Sequence, residues 1–228
     1  MSSNTIGAHN GLHSEQGALA GEHSGRSHNP VIKVTDVAWL EFDKPDLARA
    51  EAFAHAFGFG TALRTDTELH LRGGDPDAPC VLIRRGPQTR FRGMAFAAAD
   101  DADLVRLADK TGSRVTALPE SIGGTGVQLT DPSGIPVRVV SGTHPLSPLP
   151  PQVPHTFNLG HGVERINATQ RPPRVPTTVQ RLGHVVVQST KYRAALDWYL
   201  DTLGLIVSDF LFFPGHIAPR RHPAVLLP

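Results

Sequence analysis

The feature that most constrains the fold is a threefold recurrence in the 228-residue chain. A β-rich run, an amphipathic helix and a glycine stop follow one another three times, and further β-rich runs come after each stop. Repeats of about 50 residues are typical of stacked supersecondary units. The predicted strand, helix and stop are Val34–Phe42, Leu47–Phe57 and Gly58; Phe91–Ala99, Asp101–Lys110 and Gly112; and Arg181–Ser189, Lys191–Leu203 and Gly204.

The first and third copies can be aligned without a gap. Gly204 then matches Gly58, an offset of 146 residues, and His184 falls opposite Ala38. In the first copy Asp43 is the predicted N-cap of the helix, because Asp is a preferred N-cap residue.

Further strands are predicted after each helix. They are Thr61–Arg72 and Cys80–Arg85 in the first copy, Val115–Leu118, Gly126–Thr130 and Ile135–Ser141 in the second, and Leu205–Phe213 in the third. β-Branched and aromatic residues and the turn signals between the runs support these assignments.

Four segments are expected along the chain. Residues 1–30 are rich in Ser, Gly, His and Asn and read as a disordered leader, in which His9, His13, His23 and His28 show no regular spacing. Residues 31–142 hold the first two copies. Residues 143–179 form a Pro-rich linker, and residues 180–228 hold an incomplete third copy whose end, after Phe213, has no clear element.

Composition excludes several classes of protein. The formal net charge is +1, so no basic excess attracts nucleic acid or an anionic membrane. No apolar stretch of about 18 residues is present, as a membrane-spanning helix requires. A secretory signal is not recognisable at the start of the chain. The single cysteine, Cys80, lies in an apolar run and is read as a core residue. A cytoplasmic location is expected.

Three motifs carry a resemblance to a known family. They are Arg181–Val187, with Leu182-Gly183-His184 at its centre; Asp197-Trp198-Tyr199 through Leu203-Gly204-Leu205; and Thr130–Gly134 followed by Ile135–Val140. Over about 31–213 the chain resembles the vicinal oxygen chelate superfamily, which includes glyoxalases, bleomycin-resistance proteins and extradiol dioxygenases. The resemblance implies an α+β fold, in which paired βαβββ modules form a cup-shaped barrel and the third module starts a second barrel.

The order of a metal-poor module pair, a linker and a module opening on Leu-Gly-His is similar to type I extradiol ring-cleavage dioxygenases. The resemblance implies Fe(II) bound by two histidines and one glutamate in the C-terminal barrel. It also implies a catecholic aromatic substrate and O₂. His184 matches the first histidine ligand. A two-histidine, one-carboxylate site leaves positions on iron open for substrate.

The sequence departs from that pattern in two places. In the first barrel, the positions that match metal ligands are occupied by Ala38, by a residue near Gly93 and by Arg138. This barrel is therefore expected to be structural. The region of the second histidine and the glutamate is not recognisable, which suggests a truncated or frameshifted end. His216 and His222 lie in that terminal tail. No catalytic residue is identified.

An incomplete second barrel leaves apolar residues uncovered. They are Trp198, Tyr199, Leu203, Leu205 and Phe210–Phe213. Exposed apolar surface and open strand edges promote association. We therefore expect a homo-oligomer, docking of the third module on the first barrel, or poor solubility.

Two other functions remain open. One is metal-free binding of a small molecule in the groove between modules one and two, as in bleomycin-resistance proteins. The other is a glyoxalase-like or epimerase activity, which needs ligands in a paired barrel. Of the remaining polar residues, the arginines are expected on solvated strand faces and the histidines at the surface: Arg64, Arg84, Arg85, His55 and His70.

Overall fold

A computed structural model describes residues 25–150, 156–167, 169, 171, 175–189, 191–207, 210–211 and 224–227. In chain order the elements are β1 Asp36–Lys44, α1 Leu47–Phe57, β2 Gly60–Arg64, β3 Glu68–Arg72, β4 Val81–Arg85, β5 Arg90–Ala97, α2 Asp101–Thr111, β6 Val115–Ala117, β7 Thr125–Thr130, β8 Pro136–Ser141, β9 Val185–Gln188, α3 Tyr192–Leu203, β10 Phe210–Leu211 and β11 Ala224–Leu227.

The first two modules share one eight-stranded sheet in the order β2-β3-β4-β1-β5-β8-β7-β6. In each module the first strand pairs in parallel with the last one, β1 with β4 and β5 with β8. The two first strands, β1 and β5, pair antiparallel at the centre. Each half of the sheet therefore repeats the other, which confirms the α+β class and the paired βαβββ modules. The sheet stays open rather than closing into a barrel.

The helices begin and end as local sequence signals dictate, with one correction. Gly58, Gly112 and Gly204 follow the three helices, each in the left-handed conformation that costs glycine little. The predicted N-cap of α1, Asp43, is wrong. Asp46 holds that position and accepts a hydrogen bond from the amide of Arg49 at 2.9 Å, because β1 continues to Lys44.

The run Thr61–Arg72, predicted as one strand, is a hairpin. β2 and β3 pair antiparallel, and Thr65 closes the turn by accepting a hydrogen bond from the amide of Glu68 through its hydroxyl at 2.9 Å. The residues between these strands contain neither glycine nor proline. The turn signal is therefore limited to Asp66, without the stronger signal of a glycine or proline.

The third module forms a small sheet of its own. Its strand order is β10-β11-β9, with both pairs antiparallel. β9 is shorter than the predicted run Arg181–Ser189. The terminal tail was expected to have no clear element, yet it contains β11, Ala224–Leu227.

The third module docks on the first two, which is one of the three outcomes expected for its apolar residues. The amides of Val31, Ile32 and Val34 donate to the carbonyls of Asp201, Thr202 and Leu203 at 2.8, 3.2 and 3.0 Å. Apolar side chains of α3 join the core beneath β5 and α2, and those buried there are Ala195, Leu196, Tyr199, Leu200 and Leu203. Gly25 and Arg26, within the predicted leader, also pair with Val207 and Ile206.

The predicted linker is fastened to the loop between β3 and β4. The amides of Leu146 and Leu149 donate to the carbonyls of Pro76 and Gly74 at 3.0 and 2.9 Å. The buried guanidinium of Arg72 donates to the carbonyl oxygen of Ser147 at 2.6 Å. A buried arginine needs such acceptors, because an unpaired charge away from water is costly. In the part of the chain described by the structure, no helix has the length and apolar character needed to cross a membrane.

Candidate functional site

His184 lies directly before β9 and its side chain is exposed. Among the described residues, no group of three or more His, Cys, Asp or Glu side chains is placed to hold a metal ion. His216 and His222 lie outside the described residues. The described residues at His184 therefore do not fit Fe(II), which needs three protein ligands in the extradiol dioxygenases that the sequence resembles.

The other candidate place is a face of the eight-stranded sheet that borders a small space, and we call this face the cup. Its lining residues include Trp39, Glu41, Glu68, His70, Leu82, Arg84, Ile122 and Arg138. They come from β1, β3, β4 and β8 and from the loop before β7, so both modules contribute. The remaining space is about 20 Å³, which is enough for little more than one water molecule.

Two of the residues that line the cup, Glu41 and Arg138, form an ion pair. Arg138 lies with Nη1 3.3 Å from Oε1 of Glu41, and its Nε donates to Oε1 of Gln128 at 3.0 Å. The indole of Trp39 donates to the same Glu41 oxygen at 3.0 Å. With both partners mostly buried, the carboxylate of Glu41 is committed to the guanidinium and the indole. The cup therefore contains an ion pair whose charges neutralise each other, and this pair does not form a set of metal ligands.

The other two predicted ligand positions also lack a donor. Ala38 lies at a bulge, where the pairing of β1 with β5 shifts between Val37 and Trp39. At Gly93, φ is 144° and an added Cβ would lie 2.5 Å from the carbonyl oxygen of Pro136. No side chain fits there without moving the backbone. Glu41 was missed from the sequence, and its only signal was a charged residue among the apolar ones of β1.

His70 is buried, so the expectation that it lies at the surface is wrong. β3 is covered on both faces: Leu69 and Leu71 pack against α1, and His70 faces the cup. Its Nδ1 makes no hydrogen bond with any described residue, and its Nε2 lies 3.7 Å from Oε2 of Glu68. Burial lowers the pKa of His70; the nearby Arg84 lowers it further, while Glu68 opposes the shift.

This lowered pKa predicts that stability falls with acidification. Below pH 6.5, the usual pKa of histidine, His70 takes up a proton in the unfolded chain before it does so in the folded protein. The contribution of His70 to the free energy of unfolding is therefore fully present above that pH and is lost as the pH falls towards the folded-state pKa of His70. The expected slope is at most about 1.4 kcal/mol per pH unit. Urea unfolding at pH 7, 6 and 5 should show that the free energy of unfolding depends less on pH in His70→Gln than in the unsubstituted protein. Equal slopes in the two proteins would contradict this assignment.

The remaining polar residues lie where the sequence places them. Arg64, Arg84, Arg85 and His55 are exposed, as predicted. Cys80 is buried, which confirms it as a core residue, and burial raises the pKa of its thiol. A thiol with a raised pKa is a poor nucleophile at neutral pH.

Comparison with known proteins places these observations in a family context. No known protein-family profile matches the chain. Metapyrocatechase 2 of Cupriavidus necator is 29% identical over 194 residues, which cover 82% of this chain and 58% of the relative. The chain thus spans little more than half the length of this curated relative.

Two solved structures share the fold. The Mn(II)-bound glyoxalase of Novosphingobium aromaticivorans has a TM-score of 0.60 at 19% identity, over 79% of this chain and 56% of the other. Homoprotocatechuate 2,3-dioxygenase of Arthrobacter globiformis has a TM-score of 0.60 at 20% identity, over 80% and 53%. Together with the paired modules of the sheet, these similarities confirm the sequence resemblance: the chain has the fold of the vicinal oxygen chelate superfamily and is similar to its extradiol dioxygenases.

Proposed function

We propose that the chain is an extradiol ring-cleavage dioxygenase-like protein, in which the first module pair is structural and His184 is a metal ligand. The observation that carries the proposal is the placement of His184. It precedes β9, and α3 and Gly204 follow in the order of β1, α1 and Gly58. The similarity to a metapyrocatechase supports the same assignment. The proposed substrates are a catecholic aromatic and O₂.

A single imidazole cannot hold Fe(II) in a site of this type, since two further protein ligands are required. The described residues do not supply them. The proposal therefore requires ligands from residues outside the described part of the chain, such as His216 or His222, or from a second copy in a homo-oligomer. Within the described residues, His184 can contribute one nitrogen donor from an exposed position. A cytoplasmic location is part of the same proposal.

Iron content after anaerobic reconstitution with Fe(II) tests the role of His184. We expect iron bound in a stoichiometric amount to the unsubstituted protein and lost in His184→Ala, because one ligand of three is removed. The matched control is His55→Ala, another exposed histidine, which should retain iron. Oxygen consumption with catechol then tests the activity.

Two outcomes would contradict this proposal. If the unsubstituted protein binds no iron, the chain holds no metal site of this type. If His55→Ala loses as much iron as His184→Ala, the binding is unspecific.

The two alternative functions would both use the cup, and the residues of the cup support them less well than His184 supports the dioxygenase-like function. A metal-free ligand in the groove between modules one and two must displace the Glu41–Arg138 pair, because so little space remains. A glyoxalase-like activity needs ligands in a paired cup, and Ala38 and Arg138 provide none. Similarity to a glyoxalase structure concerns the fold alone.

A further inference from the structure

A second cavity lies outside the cup, at the end of the sheet where β1 begins and β5 ends. We call it the linker cleft. Its volume is about 410 Å³, within the range of about 300–1,000 Å³ typical of small-molecule sites. Its walls come from the start of β1, the end of β5, the β3–β4 loop, the start of the linker and the segment 180–182 that follows the linker. They include Asp36, Ala38, Asp75, Asp77, Ala78, Cys80, Ala97, Thr143, Gln180, Arg181 and Leu182.

The walls are held in place by main-chain hydrogen bonds. The amide of Asp75 donates to the carbonyl of Gln180 at 3.1 Å, and Gly74 donates to Val179 at 2.9 Å. On the opposite side Leu146 donates to Pro76 at 3.0 Å. The cleft is therefore formed before any ligand arrives, which reduces the entropic cost of binding.

Small side chains leave the space open. Three alanines and one cysteine line the cleft, and none of these side chains has more than one heavy atom beyond Cβ: Ala38, Ala78, Ala97 and Cys80. Leu182 adds an apolar wall on the linker side. This lining suits a small ligand with an apolar body.

Three aspartates and one arginine line the cleft, and the buried guanidinium of Arg72 lies behind it, within electrostatic range of Cys80. Asp36 and Arg181 form an ion pair at 2.9 Å, so the guanidinium is already neutralised. Asp75 and Asp77 also line the cleft, and neither takes part in the ion pairs found among the described residues. An anionic ligand would meet repulsion here, whereas a cation would gain two unpaired carboxylates.

We infer that the linker cleft binds a small organic cation, an amine joined to an apolar body. The site shares no residue with the cup's ion pair and does not include His184. It is therefore independent of the proposed dioxygenase function.

Titration of the full-length, ¹⁵N-labelled protein tests the inference with three probes of matched shape. They are benzylamine, benzyl alcohol and benzoate, which are cationic, neutral and anionic at pH 7. We expect benzylamine to shift the amide signals of Ala38, Ala78 and Ala97 saturably. Benzyl alcohol should bind about fivefold more weakly, because it loses the charge interaction, and benzoate more weakly still.

Substitutions in the cleft separate charge from shape. Asp77→Asn should weaken benzylamine about fivefold, while Asp109→Asn, the same change on the exposed face of α2, should leave binding unchanged. Ala78→Leu should block binding by filling the cleft. If Ala78→Leu does not fold, the comparison of Asp77→Asn with Asp109→Asn still decides the question.

Several outcomes would overturn the inference. They are the absence of saturable shifts, shifts centred on Glu41 and Arg138 in the cup, and equal affinities for benzylamine and benzoate. Because His184 is outside the cleft, His184→Ala should bind benzylamine like the unsubstituted protein. The failure of iron binding and the failure of this site are therefore distinguishable.

Discussion

Asp131→Ala should lower the free energy of unfolding by about 3–5 kcal/mol, since it removes three coupled hydrogen bonds to a charged group, which contribute about 1.5–3 kcal/mol each when lost singly and are not additive. Asp131 is only 3% exposed. Its Oδ1 accepts the amides of Ser133 and Ile135, both at 2.8 Å. Its Oδ2 accepts the hydroxyl of Tyr199 at 3.1 Å. One carboxylate thus shapes the turn before β8 and fastens α3 to it. Chemical denaturation provides the measurement.

Tyr199→Phe separates these two roles, because it removes one hydrogen bond to Asp131 and keeps the ring. Burial raises the pKa of Tyr199, and the adjacent Asp131 raises it further, so the phenol stays protonated and can donate at any ordinary pH. We expect a loss of about 1–2 kcal/mol. The ring should stay packed edge-on against Trp198, at a centroid distance of 4.9 Å. If the free energy of unfolding falls by less than about 0.5 kcal/mol in both variants, the hydrogen bonds of Asp131 do not fasten α3 to the sheet.

Leu203→Ala tests whether the third module and the eight-stranded sheet form one cooperative unit. Leu203 is fully buried at the end of α3, in the same core cluster as Phe96 and Leu104. Truncation leaves a cavity and should cost about 2–5 kcal/mol. The control is Leu159→Ala, the same substitution at a site that is 78% exposed, where a change within about 0.5 kcal/mol is expected.

The shape of the unfolding curve carries the decisive information in that experiment. A single transition shifted to lower denaturant by Leu203→Ala would show that α3 and the sheet unfold together. Two transitions, with the one for the sheet unaffected, would show that the docked module contributes nothing to the stability of the first two.

Local signals explain what could be predicted from the sequence. Each helix is stopped by a glycine, and the order of elements repeats, so the paired modules follow from residues close together in the chain. The hairpin at Thr65 was hidden because its turn carries neither glycine nor proline. β11 was missed because Pro214–Pro223 separates it from the other apolar runs of the third module.

Long-range pairing explains what could not be predicted about the sites. The family resemblance implied that Arg138 stands at a ligand position, but it gave no indication of the partner of Arg138. Glu41 meets Arg138 only because β1 and β8 flank β5 in the sheet. His70 alternates with leucines, as surface residues do, and its burial depends on the cup that both modules build. The linker cleft likewise forms from segments more than 100 residues apart.

The hydrogen bonds between the segment Val31–Val34 and the end of α3 also constrain how the chain can assemble during synthesis. Asp201 lies 170 positions after Val31. At roughly 5–20 residues per second, a ribosome needs on the order of ten to thirty seconds to cover that distance. Throughout that interval, the backbone at Val31 has no partner in α3. The paired modules can form their sheet first, and the third module then supplies the groups that complete this early segment.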